Sequence, residues 1–153
     1  MKTGIIVFSR TGHTRQAAQK LQEALRTKGR DSELEEVTVS NPQPEGDLSR
    51  IRLTNKPAVE AYGRLVFAAP VWGFNLSAVM KAYLMGLPSL KGKKISLFVT
   101  HQLPLPWMGG NAAIRQMKKL CREKGGEVVS GAVVSWSEKR RERDLAELLN
   151  RLA

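Results

Sequence analysis

The stretch Ser9-Arg10-Thr11-Gly12-His13-Thr14 sets hydroxyl side chains, an arginine, a histidine and a glycine within one short turn. Hydroxyls donate to phosphate oxygens, and a glycine lets backbone close tightly around an anion. An apolar run, Gly4 to Phe8, leads into the stretch, and a helical pattern, Arg15 to Lys28, leaves it. Strand, turn and helix in that order place unpaired N–H groups at the positive end of a helix dipole. The chemistry on offer is the seating of a phosphate. The turn is not a Walker loop, because no Gly-Lys-Ser/Thr follows, and it is not G-x-G-x-x-G. A helix start capped by Ser9 or Thr11, with no ligand, is the plainer alternative.

Two later stretches carry a similar signature. Leu65 to Ala69 is an uninterrupted apolar run that ends in Pro70-Val71-Trp72-Gly73-Phe74-Asn75. Trp72 or Phe74 offers a flat apolar face to a planar ring, or else packs under the next helix. Ile95 to Thr100 is a further buried run, and it opens onto Thr100 to Asn111, with two prolines and two glycines. That composition reads as an ordered but irregular loop. It contains His101, Gln102, Trp107, Gly109 and Gly110. His101 reads as a loop histidine bonded to backbone, with a proton donor beside a ligand as the alternative. Large aromatics and glycines at the carboxyl ends of central strands stand where open α/β sheets bind their ligands.

Together these motifs resemble the flavodoxin family. S-x-T-G-x-T directly after a first strand is similar to that family's loop for the phosphate of flavin mononucleotide (FMN). The resemblance covers essentially the whole chain and is to the short-chain type. It implies that Ser9, Arg10, Thr11, Gly12, His13 and Thr14 surround the phosphate. It implies that Pro70, Val71, Trp72, Gly73, Phe74 and Asn75 form the second flavin loop, with Gly73 matching the peptide that can turn to meet the reduced ring. Thr100, His101, Gln102, Trp107, Gly109 and Gly110 then fall in the third loop. There, backbone around Thr100 to Gln102 would meet the polar ring edge, and Trp107 is the candidate for the second ring face. Arg15 is expected to face solvent, Arg10 is left open, and His13 is expected to be a surface residue.

These stretches need a frame to bring them together. Strand and helix alternate five times along the chain, the signature of a doubly wound parallel sheet with helices on both faces. In the flavodoxin-like order 2-1-3-4-5 the first, third and fourth strands are neighbours, so their loops converge on one crevice. Lys2 to Phe8 reads as a strand buried on both faces. Thr14, Ala17, Ala18, Leu21 and Leu25 form a helical stripe closed by Gly29. Asp31 to Val39 alternates and bears Asp31, Glu33, Glu35 and Glu36, as a half-exposed edge strand does. Ser40 to Pro57, with Pro42, Pro44 and Gly46, reads as loop with a short helical stretch near Asp47 to Leu53. Leu76 to Met85 and Ala112 to Lys124 read as helices. Met80, Met85 and Cys121 are expected in the core. Glu127 to Ser135 is the last strand, and Ser137 is placed to cap a final helix striped by Leu145, Leu148, Leu149 and Leu152.

A chain of 153 residues suggests a single domain, residues 1–153, and 42% apolar content is ordinary for a globular one. Cys121, the single cysteine, excludes an internal disulfide and a cysteine-held cluster. The two histidines, far apart, argue against a metal site. With no bilayer-length apolar run and no signal-peptide pattern, the expected location is the cytoplasm.

The charge departs from the resemblance. Twenty-five Lys and Arg stand against 14 Asp and Glu, a net charge of +11, whereas proteins of this family are generally acidic. The leading expectation is an FMN-binding redox protein, either an electron carrier or a small flavin-dependent reductase. Its partner is then an acidic redox protein, or a small quinone or nicotinamide substrate, and nucleic acid is not the expected partner. The alternative is a flavin-free binding module whose basic surface engages nucleic acid, an acidic protein or a membrane face. No acid, base or nucleophile of the polypeptide is assigned to catalysis.

Overall fold

The computed structural model describes residues 1–40, 48–103, 105 and 107–153. Strand β1 (Thr3–Val7) is buried at every residue and pairs in parallel with β2 (Ser32–Glu36) on one side. On its other side it pairs in parallel with β5 (Arg64–Trp72). Strand β7 (Lys94–His101) follows β5, and β8 (Glu127–Ser135) closes the far edge. The order β2-β1-β5-β7-β8 is the five-strand parallel order read from the sequence.

Strand periodicity explains why the central runs are apolar throughout. Along β5, Leu65, Phe67 and Ala69 face one core, while Val66 and Ala68 face the other. The first core lies under α2 (Ala78–Met85) and α3 (Gly110–Glu123), and takes in Val79, Met80, Tyr83, Ala113, Met117 and Cys121. The second lies under α1 (His13–Thr27) and α4 (Arg141–Leu152), with Ala17, Leu21, Leu25, Leu145 and Leu148. Each fully buried Leu, Ile or Phe contributes about 1.5–3 kcal/mol, so the two cores outweigh any single polar contact on the surface. Cys121 is fully buried, and burial pushes its thiol up to about 12, as suits a small core hydrophobe.

Several boundaries differ from the sequence reading. Pro70 to Trp72 belong to β5, which turns back at Gly73 and Phe74 into a short antiparallel strand β6 (Asn75–Leu76). The second loop is therefore the tip of a hairpin. Helix α2 starts at Ala78, where the Ser77 hydroxyl accepts from the Met80 amide. Met80 is buried as expected, but Met85 is 53% exposed because it falls on the outer side of the last turn. Thr100 and His101 lie inside β7. The acidic edge strand stops at Glu36. Beyond Val37, β3 (Thr38–Val39) forms a separate ribbon with β4 (Leu53–Asn55), a pairing that strands of two and three residues are too short to announce. A 3-10 turn, Leu48–Arg50, stands for the expected helical stretch; Pro42, Pro44, Gly46 and Asp47 lie outside the described residues. Ser137 does not cap α4: its hydroxyl meets that of Ser135, and the helix starts behind Arg140 without a side-chain cap.

Beneath β1 the packing leaves no room at Gly4. A Cβ there would stand 2.5 Å from the Tyr62 ring. Tyr62 is 3% exposed, and its hydroxyl shares its one proton between the Glu33 carboxylate, at 2.8 Å, and that of Glu35. Held at both ends, Tyr62 has little freedom to retreat. Gly4→Ala is expected to lower stability by about 1–3 kcal/mol. Urea titration checks this: the midpoint falls with the slope preserved, whereas an unchanged midpoint contradicts the close contact.

Candidate functional site

The carboxyl ends of β1, β5 and β7 open into a crevice of about 380 Å3. It is lined by Arg10, Thr11 and His13 from the turn after β1, by Pro70, Val71 and Trp72 from the end of β5, and by Thr100, His101 and Gln102 from the end of β7. The stretches singled out in the sequence thus meet at one place. Ser9, Gly12 and Thr14 stand just behind the first wall.

The turn after β1 is shaped by Ser9. Its hydroxyl oxygen accepts from the Gly12 amide at 3.1 Å and from the Arg15 amide at 3.3 Å. Gly12 sits at φ 95°, where a side chain would be strained, and starts α1 without a side-chain cap. Gln16 begins the helical ladder by donating to the Gly12 carbonyl. The amides of Thr11, His13 and Thr14 donate to no group among the described residues. They are the open donors at the positive end of α1. The Thr14 hydroxyl is turned away from them, 2.7 Å from that of Thr100, in a buried tie between α1 and β7. Arg15 is exposed, with Glu36 at 3.6 Å.

Trp72 is half-buried. Phe8 meets it edge-on at 5.6 Å, and the Arg10 guanidinium lies over its ring at 5.2 Å from the centre. His13 is half-buried at the crevice surface. It stacks on Trp136 at 4.7 Å, and its Nδ1 meets the Gln102 amide nitrogen at 2.9 Å. Trp136 is 7% exposed, and its own amide donates to the His101 carbonyl at 2.7 Å. Arg141 lies over the same indole and donates to its carbonyl. Burial, and then the Arg141 charge, hold the His13 ring below the usual histidine value. Trp136 was not singled out in the sequence; a tryptophan directly after the last strand was the available signal.

His101 departs from the backbone-bonded loop residue expected. It is 7% exposed, and neither ring nitrogen has a partner among the described residues. Burial is the main influence that lowers its basicity, with Asp144 opposing more weakly. A buried polar group left unpaired costs about 1–3 kcal/mol, more than a typical hydrogen bond contributes.

The remaining candidates lie outside the crevice lining. Gly73, Phe74 and Asn75 form the hairpin tip, where Gln116 donates to the Asn75 side chain at 2.9 Å. Phe74 is 60% exposed and has φ 67°, a conformation that costs a non-glycine residue about 1–3 kcal/mol. Trp107 is 68% exposed. Gly109 and Gly110 have packing reasons of their own. A Cβ on the first would stand 2.6 Å from the Phe74 backbone, and on the second 2.4 Å from Val133.

Among the described residues no cluster of His, Cys, Asp or Glu could hold a metal ion, and no helix is long and apolar enough to cross a membrane. Compared by sequence, the chain matches no protein-family model and no curated protein. Compared by structure, it is similar to oxidised flavodoxin 2 of Bacillus cereus, with a TM-score of 0.72 at 18% identity over 98% of this chain and 94% of that one. A flavodoxin of Streptococcus pneumoniae gives 0.67 at 18% identity, over 99% and 97% of the two chains. A flavoprotein of Lactobacillus acidophilus, solved in complex with FMN, gives 0.61 at 21% identity, over 86% and 92%. The strand order, the helices on both sheet faces and these likenesses agree: the chain has the flavodoxin-like fold.

Proposed function

We propose that this chain is a single-domain redox protein that holds FMN in the crevice above β1, β5 and β7. The observation that carries this reading is a juxtaposition: open amides at the start of α1, the Trp72 ring and the unpartnered His101 ring border one crevice. A phosphate monoester carries about −1.5 to −2 charges near neutral pH, and the amides of Thr11, His13 and Thr14 with the Thr11 hydroxyl suit it. Arg10 lines the same crevice and would add its charge. Trp72, Val71 and His101 would then border the ring. Bound there, FMN would supply one- and two-electron chemistry, and the protein would tune it by stacking, hydrogen bonds and charge. FMN in the solved Lactobacillus acidophilus flavoprotein is consistent with this choice of ligand.

An electron carrier is the favoured form, with an acidic protein as partner and the cytoplasm as location. Exposed Phe74 and Trp107 at the hairpin and the third loop are what a protein partner would cover. A reductase is the second reading. Among the described residues Trp107 does not line the crevice, which would leave one side of a bound ring open to a quinone or nicotinamide. Steady NAD(P)H consumption with a quinone acceptor decides for the reductase.

Titration of the flavin-free protein with FMN, followed by flavin fluorescence, is expected to show one site. Riboflavin, which lacks the phosphate, is expected to bind at least about tenfold more weakly, a difference of about 1.4 kcal/mol. Equal binding of the two contradicts the anion seat, and no binding of either contradicts the function. His101→Phe is expected to weaken FMN by about tenfold while leaving the fold intact by circular dichroism.

The lowered basicity of His101 gives a pH prediction. The folded state favours the neutral ring, so the stability it secures is complete above the ordinary value of 6.5 and is lost as pH falls through the lower folded value. Urea midpoints of flavin-free protein should therefore drop on acidification below 6.5, and drop less in His101→Gln. Parallel pH curves for the two proteins contradict the buried neutral ring.

A further inference from the structure

The outward side of α3 carries Arg115, Lys118, Lys119 and Arg122, opposite the buried Ala113, Met117 and Cys121. Spacings of three, four and seven residues set these cations in one stripe about 10 Å long. None has an ion pair or hydrogen bond among the described residues. Several cations elsewhere have local carboxylates: Lys2 meets Glu33 at 2.8 Å, and Arg151 meets Glu147. The acids Glu33, Glu35 and Glu36 lie on β2, at the opposite edge of the sheet from β8 and its neighbour α3. Nearer acids are Glu123 at the end of α3, Glu127 at the start of β8, and Asp144 and Glu147, which share a groove with Lys118 without pairing it.

A second observation lies at the start of the same helix. Gly109, directly before α3, packs on the backbone of Phe74. Phe74 combines a strained backbone with a 60% exposed ring, and Trp107 close by in sequence is 68% exposed. Neither folding nor burial accounts for large aromatics at these positions. Exposed aromatic anchors beside unpaired cations have the composition of a protein-docking surface.

We propose that Phe74, Trp107 and the outward side of α3 form the docking surface for an acidic redox protein, the aromatics as its apolar centre and the cations as its charged flank. The redox class of the partner rests on the function proposed above; the surface itself does not. A protein fits better than nucleic acid. The stripe ends within two turns, Glu123 follows it, and Phe74 packs on Gly109 at the start of the helix.

The test uses the full chain, isotope-labelled, with and without FMN. It is titrated at low ionic strength with a plant-type ferredoxin as acidic probe, with cytochrome c as basic control and with a short DNA duplex. The ferredoxin is expected to shift the resonances of Phe74, Trp107 and α3 and to be released by salt. Arg115→Glu combined with Lys119→Glu is expected to weaken it by at least about tenfold. Lys20→Glu combined with Arg26→Glu, on α1 at the other sheet face, is expected to change it less than about twofold. Equal losses in both pairs, shifts confined to other surfaces, or DNA bound more tightly through α3 than the ferredoxin would overturn the docking surface. Failure to bind FMN with ferredoxin docking intact overturns the redox function alone; FMN binding without ferredoxin docking overturns the surface alone.

Discussion

Everything at the candidate site depends on the parallel pairing of β1, β5 and β7. These strands are buried on both faces, so along their length they can hold apolar side chains and little else. Parallel direction brings their carboxyl ends to one side. There the backbone ladder stops, and polar groups can point into a shared space. The crevice is a consequence of topology before it is a consequence of any one residue.

The local costs of the structure gather around that space. Ser9 spends its hydroxyl oxygen on two amides of the turn. His101 lies buried with unsatisfied nitrogens, and Phe74 holds a left-handed backbone with its ring in solvent. Each such feature is unfavourable in isolation, and each borders or adjoins the crevice. A chain selected for stability alone would replace the imidazole with an apolar side chain and Phe74 with glycine. Opposing these costs are the two cores and the tie between Thr14 and Thr100, which fixes α1 against β7.

Legibility followed the strength of the local pattern. Leu65 to Ala69 is an unbroken apolar run, Ile95 to Val99 is apolar but for Ser96, and the stripes of α1 and α4 repeat at helical spacing, so sheet, helices and strand order were readable. The ends were harder. Pro70 signals a break, yet its missing N–H falls near the end of the ladder, and β5 runs on to Trp72. The β3–β4 ribbon was hidden by strands too short to show alternation. At the site, the convergence of the turn after β1 with the ends of β5 and β7 was legible because topology enforces it. The partners of individual side chains were not. Trp136 stacks on His13 from the other end of the chain, and nothing local to either residue records the pairing. Trp107 belonged to the right loop but not to the crevice lining, since a loop's composition does not fix which way its side chains point.

The most direct test of the central claim is a crystal structure of the chain grown with FMN. The expected result is a phosphate held by the amides of Thr11, His13 and Thr14, with the ring bordered by Trp72 and His101. A ring lodged elsewhere, or the same crevice without FMN at saturating concentration, would contradict it.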